Sequence, residues 1–179
     1  MEPLYRTALG QDFDALPPLL QRFHSQTGQA WEGEAVVRWS ERPWLRLLLW
    51  LGRLPAPGLA VPVAVKLAAY GQGERWLRRF AGRLMASRQF MVGKHLHEGF
   101  GPLRLKLENR LDEAGVLWQR SSASHWLGLP LPKLLAAAVV ASERHEAGRL
   151  CFDVAITLGG LDFIHYQGWL KPVGEHGDR

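Results

Sequence analysis

The sequence predicts an α+β protein that is mainly antiparallel β, with a curved sheet or barrel of about eight strands capped by two N-terminal helices. Two observations support this fold class. From residue 61 onward, short segments with apolar residues at alternate positions follow one another between turn residues, which is typical of antiparallel strands. Before residue 55, two segments instead repeat their apolar residues at helical spacing. We expect one domain, with a helical part at 12–54, a β-rich part at 61–170 and a flexible tail at 172–179.

Length and composition fit a folded protein. With 179 residues, 47% of them hydrophobic, the chain can bury roughly 70% of the surface of its unfolded state. Its longest apolar runs are far shorter than a membrane-spanning helix, and its N-terminus lacks the apolar core of a signal peptide. The single cysteine, Cys151, excludes an intrachain disulfide and a multi-cysteine metal site. We therefore expect a cytoplasmic location.

The net charge of +5 lies entirely in the first half of the chain, where residues 1–90 hold 12 Lys/Arg against 7 Asp/Glu. This asymmetry fits an acidic partner surface, such as membrane headgroups, or an arginine-rich solvated face. No nucleic-acid-binding motif accompanies the charge, and the tryptophans fit a core better than a base-stacking platform. We expect no nucleic-acid partner.

Two helices are predicted. The first spans Asp12–Gln26, with Pro17 and Pro18 in its first turn and His24 near its C-terminal end. The second is capped by Ser40, has Pro43 in its first turn and ends before the break at 55–58. Its two faces differ: Arg42, Arg46 and Arg53 lie on one side, and Trp44, Leu45, Leu47, Leu48 and Leu51 lie on the other. Such a helix either covers one end of a sheet or lies in a membrane interface, peripheral to an acidic bilayer.

Most strands follow directly from the alternation. The clearest are 33–39, 61–70, 74–80, 103–108, 116–126, 139–146 and the two strands of a final hairpin at 150–170. Two further segments, 84–90 and 94–99, are less regular, and 134–138 is predicted as a short helix. In the 74–80 strand, Trp76, Arg78 and Phe80 alternate onto one side. A guanidinium there can stack on aromatic rings and pair with a carboxylate or an anionic ligand. Alternatively, it lies at the opening of the barrel and remains hydrated.

The final hairpin turns at Gly159-Gly160, a dipeptide that supplies the positive φ angles of a tight turn. Direct pairing around this turn places Val154 opposite His165, Phe152 opposite Gln167 and Leu150 opposite Trp169. A second turn at 147–148 pairs Glu143 with Phe152. Glu143, His165 and Gln167 then share one apolar face, an arrangement that a one-residue slip in register would destroy.

Several ordered pieces of sequence carry a family resemblance. They are LPPLLQRFH at 16–24, LGRLPAPG then VPV at 51–63, WLRRF at 76–80, EGFGP at 98–102, LPLPKLLA at 129–136, ASE at 141–143, GRLCFDV at 148–154 and HYQGWL at 165–170. Together they resemble a bacterial family of uncharacterised proteins, domain-of-unknown-function family 4166. The polar positions that match are His24, Arg78, Glu98, Glu143 and His165.

The resemblance implies an accessory or ligand-binding role rather than a known reaction. Members of the family occur alone or attached to NAD(P)-binding dehydrogenase- or epimerase-like domains, which implies an NAD(P)-binding partner protein. No G-x-G-x-x-G follows a predicted strand here, so the chain itself is not expected to bind the dinucleotide. The chain departs from the family in carrying His95 and His97 before Glu98. These histidines share a strand face, but Glu98 points the other way, so we predict neither a metal nor a cofactor.

Two function classes remain open, since no GxSxG or P-loop motif is present. The first is a binding module for a small apolar or amphiphilic, lipid-like ligand, held in the barrel. Its predicted ligand-binding residues are Trp76, Arg78, Glu143, His165, Gln167 and Trp169. The second is an enzyme that uses the same cavity, with His165 as general base and Glu143 orienting or protonating it. A purely structural or interaction domain, in which these residues form a hydrogen-bonded network, is the further alternative.

Overall fold

The structure, a computed structural model, describes residues 2–174 and shows a barrel of antiparallel strands with three α-helices. The strands are β1 Ala30–Trp39, β2 Gly58–Tyr70, β3 Gly73–Phe80, β4 Arg83–Val92, β5 His95–Phe100, β6 Leu103–Leu111, β7 Leu117–Trp126, β8 Leu129–Pro130, β9 Ala137–Glu146, β10 Arg149–Leu158 and β11 Leu161–Pro172. The helices are α1 Leu4–Leu9, α2 Pro18–Ser25 and α3 Pro43–Leu51, with a 3-10 helix at Gly10–Phe13. Residues 175–179 of the predicted tail lie outside the described residues.

Two long-range pairings close the barrel. β1 pairs with β11, and β6 pairs with β7, so ten strands form a ring in which each is bonded to two neighbours. The short β8 lies beside the end of β7. The mainly antiparallel class is confirmed, whereas the expected count of about eight strands is wrong. The two irregular segments, β4 and β5, are full barrel strands, and their pattern is blurred by the buried polar residues Ser87, Gln89 and Glu98.

The helices differ from the prediction at four points, and the first is α1 at Leu4–Leu9, which was not predicted. Instead of one helix at 12–26, the chain forms the 3-10 helix and then α2, which begins at Pro18. The residue before a proline is driven out of the α region, and Pro17 indeed has ψ 141°. α3 begins at Pro43 as expected, but its N-cap is Arg42 rather than Ser40. The short helix predicted at 134–138 is absent, since a turn there leads directly into β9.

The two ends of the barrel carry different covers. α1 and α2 sit over the end where the turns 71–72, 93–94 and 147–148 lie, which we call the plugged end. α3 and the 127–136 segment lie at the opposite end, with the turns 81–82, 101–102 and 159–160; we call this the α3 end. No helix among residues 2–174 is long and apolar enough to cross a membrane.

The plug inserts aromatic side chains into the barrel. Tyr5, Phe13 and Phe23 are each at most 2% exposed. Phe23 makes edge-on contacts with Trp31 and Trp76, at 5.0 and 5.5 Å between ring centroids. Burial of side chains of this size contributes about 1.5–3 kcal/mol each, so the plug is part of the core rather than an appendage.

A β-bulge changes the register of the final hairpin. Leu158 faces Leu161 as predicted, but Thr157 pairs with Asp162 and Ile156 with Ile164, which leaves Phe163 as an extra residue. Beyond the bulge Val154 faces Tyr166, so the predicted pairing of Val154 with His165 is wrong. Because side chains alternate with period two, the extra residue turns His165, Gln167 and Trp169 to the outer surface. The predicted pairing of Glu143 with Phe152 on the other side of β10 is confirmed.

Candidate functional site

The interior of the barrel contains a cavity of about 70 Å³. At 10–15 Å³ for a water molecule, this space holds roughly five waters or a slender apolar ligand segment. Its wall is mainly aliphatic and aromatic: Val63, Val65, Phe80, Phe100, Val139, Phe152, Val154 and Ile156. The cavity extends from Tyr5 and Phe23 of the plug toward the α3 end, so an apolar space runs along the barrel axis.

A buried ion pair forms one polar wall of the cavity. Arg78 on β3 donates from Nη1 to Oγ of Ser87 at 2.8 Å and from Nη2 to Oε1 of Glu98 at 3.1 Å. The Ser87 hydroxyl donates to the same carboxylate oxygen at 2.6 Å. The side chains of Arg78 and Glu98 are only 13% and 7% exposed. Three adjacent strands thus hold a charge pair in an apolar interior, where each partner depends on the other.

Arg78 also retains donors for a ligand. Its guanidinium carbon lies 4.6 Å from the centroid of the Trp76 ring, at the distance of a cation–π contact. A guanidinium has five N–H donors, and the described bonds to Ser87 and Glu98 use two of them. Because Arg78 lines the cavity, a ligand oxygen there has a positioned donor.

Gln89 on β4 presents the matching acceptor. It is 1% exposed, lines the cavity, and its Oε1 has no hydrogen-bond partner among the described residues. Buried polar atoms in proteins are nearly always paired with protein or water. The orphan oxygen therefore points to a hydroxyl or N–H group, from water or from a ligand, inside the barrel.

A second polar group joins the plug to the barrel wall. His24 Nε2 of α2 and Glu143 Oε2 of β9 lie 2.6 Å apart, and the His24 side chain is fully buried. Tyr5 stacks on the His24 ring at 3.7 Å and accepts a hydrogen bond from Gln119 at 3.1 Å. Glu143 and Tyr5 also line the cavity. The plug is therefore held by directional bonds as well as by apolar packing.

A family model matches most of this architecture. The model of a family described as Domain of unknown function (DUF4166) matches residues 16–170, from the start of α2 nearly to the end of β11. The chain belongs to this family. The matched range contains α2, α3 and ten of the eleven strands in full. It also contains the ion pair of Arg78 with Glu98 and the pair of His24 with Glu143, whereas Tyr5 lies outside it. A comparison with curated proteins finds no match to this DUF4166 domain.

The structure separates the predicted site residues of the DUF4166 domain into two groups. Trp76, Arg78 and Glu143 line the cavity. The others lie on the outer surface and do not join them: His165, Gln167 and Trp169. His165 Nε2 pairs with Asp153 Oδ1 at 2.9 Å, and Arg149 lies over the Trp169 ring at 4.4 Å.

The acid–base pair proposed from the sequence does not form. Glu143 faces the interior and His165 faces outward from β11, because the bulge at Phe163 reverses the face on which His165 lies. The histidine that meets Glu143 is His24, which comes from the plug. His95 and His97 also lie outside the cavity, and His97 stacks on Phe90 at 5.9 Å between ring centroids. Within residues 2–174, no group of three or more His, Cys, Asp and Glu side chains is placed to hold a metal ion.

Five polar cavity residues are absent from the predicted site: Tyr5, Gln89, Glu98, Gln119 and Tyr166. Glu98 was named only as a polar position that matches the family. Gln89 was detectable, since Ser87 and Gln89 continue a period-two series that begins at Met85. Tyr166 falls on the opposite face from His165 and Gln167 in the predicted hairpin, and only the bulge at Phe163 turns it into the barrel. Tyr5 precedes the first predicted helix and enters the site only because the plug folds back over the barrel.

The buried phenol of Tyr166 makes the stability of the fold depend on pH in the alkaline range. Burial raises the pKa of Tyr166 from 10.0 to about 12, with Arg78 opposing and Glu98 adding to the shift. The folded protein therefore keeps this proton where the unfolded chain releases it. We expect a stability contribution of about 3 kcal/mol that is fully present below pH 10 and lost as the pH rises from 10 toward 12.

Urea unfolding of the wild type and Tyr166→Phe across this alkaline range checks the Tyr166 contribution. Both proteins keep the other two tyrosines, so the difference between their stability profiles reports Tyr166 alone. The wild type should lose stability more steeply than the variant. Parallel profiles would contradict the buried position of the phenol.

Proposed function

We propose that this DUF4166 domain is a binding module that holds a small apolar or amphiphilic, lipid-like ligand inside the barrel. The observation that carries the proposal is the apolar cavity, into which project the buried Arg78 and the Oε1 of Gln89, an oxygen without a hydrogen-bond partner among residues 2–174. Ligand pockets commonly combine an apolar wall with a few positioned polar groups. The cavity of this domain has that composition.

The two parts of the cavity favour different parts of a ligand. The valine, isoleucine and phenylalanine wall favours an alkyl chain or small ring, since burial stabilises by about 25 cal/mol per Å² of apolar surface. Arg78 donates to a ligand oxygen, and Gln89 accepts from a ligand hydroxyl. Because Glu98 already balances the charge of Arg78, a neutral head such as a hydroxyl or carbonyl fits better than a second carboxylate. An alcohol with a slender apolar chain has both features.

The proposal does not use His165, Gln167 or Trp169, which lie outside the barrel. An NAD(P)-binding partner protein, to which such a module would be accessory, and a cytoplasmic location stay predictions from the sequence. The structure favours no enzymatic reaction over binding, because the proposed pair of Glu143 and His165 is not assembled.

Binding is tested with 1-decanol, of which a cavity of about 70 Å³ takes only the hydroxyl group and the first few carbons, and with a variant that fills the cavity. Ala141 lines the cavity on β9, and Ala141→Leu places three further carbons in that space. Titration calorimetry should show decanol binding to the wild type and at least about tenfold weaker binding to Ala141→Leu, since a filled cavity excludes the chain. Native mass spectrometry of the purified protein should show an apolar adduct.

The matched control is Val140→Leu, one residue away on the outer face of the same strand. It adds bulk to β9 without entering the cavity, so decanol affinity should not change. Equal affinities for Ala141→Leu and Val140→Leu would place the alcohol elsewhere. A clean apo mass together with no decanol binding to the wild type would overturn the proposed function.

A further inference from the structure

The exposed apolar side chains of the molecule are concentrated at one end. Of the 16 large hydrophobic residues exposed within residues 2–174, 12 lie at the α3 end, so the distribution is not an even scatter over the surface. Five come from α3: Trp44, Leu47, Leu48, Trp50 and Leu51. Five come from the end of β7 and the 127–136 segment that follows it: Trp126, Leu127, Leu129, Leu134 and Leu135. Leu59 and Leu84, at the starts of β2 and β4, complete the set.

α3 exposes these residues because a different face of the helix packs against the barrel. Leu45 and Leu49 are fully buried against the barrel, and α3 packs beside the start of β11. Trp44, Leu47 and Trp50 are 50%, 55% and 62% exposed. A helix that only covered the barrel would need the inner stripe and would carry polar residues outside. The outer apolar stripe therefore has no packing partner among the described residues.

Backbone bonds hold the second segment at the same end. Leu127 donates to the carbonyl of Pro102, and the N–H of Gly159 donates to the carbonyl of Ala136. Both partners belong to turns at the α3 end of the barrel. The segment is thus anchored on each side, and Leu129, Leu134 and Leu135 remain 60–83% exposed between the anchors. Two segments far apart in sequence form one apolar surface, which we call the α3-end surface.

Positive charge accompanies this apolar surface. Exposed cations at the α3 end are Arg38, Arg42, Arg46, Arg53, Arg79, Arg83 and Lys133, against the two exposed acids Glu41 and Asp162. Arg42, Arg46 and Arg53 take part in no ion pair among the described residues, so no described carboxylate neutralises their charge. A partner for this surface must accept tryptophan and leucine side chains and must also carry negative charge.

We propose that the α3-end surface docks on an anionic lipid bilayer. Short amphipathic helices with tryptophan and leucine on one face and arginine beside it lie in the bilayer interface. Tryptophan is favoured at the headgroup level, and each arginine near an anionic leaflet adds attraction that salt weakens. Docking involves the outer surface only, so it does not depend on the proposed cavity ligand.

Vesicle flotation tests the docking directly. The probes are vesicles of phosphatidylcholine alone and of phosphatidylcholine with one third phosphatidylglycerol. We expect the wild type to float with the mixed vesicles, to float less with phosphatidylcholine alone, and to be released by salt. The triple variant Arg42→Glu, Arg46→Glu and Arg53→Glu should bind the mixed vesicles at least about tenfold less tightly. The variant Trp44→Ser, Leu47→Ser and Trp50→Ser should also lose binding.

The matched control reverses three exposed arginines near the plugged end, Arg75, Arg110 and Arg120, to glutamate. It makes the same change in net charge, so binding close to that of the wild type locates the contact at the α3 end. If the two triple-glutamate variants lost vesicle binding equally, the binding would depend on net charge alone and the proposal would be overturned. No flotation of the wild type, or a dimer that the serine variant dissociates without any vesicle binding, would also overturn it. The outcome is separate from decanol binding, which is measured without vesicles.

Discussion

Glu98→Ala is expected to destabilise the barrel by about 3–5 kcal/mol, because it leaves the guanidinium of Arg78 buried without a counter-charge. Glu98 accepts from both Arg78 and Ser87, and its side chain is 7% exposed. Removing it also leaves the Ser87 hydroxyl without its acceptor. Urea unfolding monitored by circular dichroism measures the loss.

Two further variants distinguish how much of the destabilisation comes from the unpaired charge and how much from lost packing. The double variant Arg78→Met with Glu98→Met removes both charges and keeps apolar volume, so it should recover most of the stability lost in Glu98→Ala. Ser87→Ala removes only the neutral partner of the network and should cost about 1–2 kcal/mol. If Glu98→Ala were no more destabilising than Ser87→Ala, the ion pair would not be buried in the folded protein.

Gly33→Ala is expected to destabilise the protein by more than about 4 kcal/mol, because the added methyl group would overlap the backbone of the neighbouring strand. A Cβ at Gly33 on β1 would meet the carbonyl oxygen of Trp169 on β11. A Cβ at Gly168 on β11 would likewise meet the carbonyl oxygen of Glu34 on β1. The two glycines therefore let β1 and β11 approach closely at the seam where the first and last strands of the barrel join.

Gly99→Ala is the matched control for the strand glycines. Gly99 lies in β5, and a Cβ there would meet its nearest neighbour, Cε1 of Phe90, at an ordinary 3.7 Å. This change should alter the stability by no more than about 1 kcal/mol, in either direction. Similar unfolding midpoints for Gly33→Ala and Gly99→Ala would show that the β1–β11 seam is looser than described.

The strands and α3 were predictable because their signals are local. Alternation places Trp76, Arg78 and Phe80 on one side of β3, and all three line the cavity. The tight turn at 147–148 sets the register between β9 and β10, so the pairing of Glu143 with Phe152 followed from a short stretch of chain. Proline at the first turn and the apolar spacing after it located α3.

The bulge at Phe163 shows where local reasoning stops. A tight turn at 159–160 predicts direct pairing, yet one extra residue turns His165 outward and Tyr166 inward. Nothing in the alternation of LDFIHYQ marks the bulge, because both possible faces of that strand contain apolar and polar residues. One residue therefore changed half of the predicted site.

Local periodicity in this chain specifies the elements, the mainly antiparallel class and the inward position of Arg78. The partners of those elements depend on contacts across long sequence separations, which no short window contains. Closure of ten strands requires β1 to meet β11, and the cavity requires α2 to bring His24 to Glu143, 119 residues away. The exposed leucines and tryptophans at the α3 end come together for the same reason, since only the closed barrel brings α3 and the 127–136 segment to one surface.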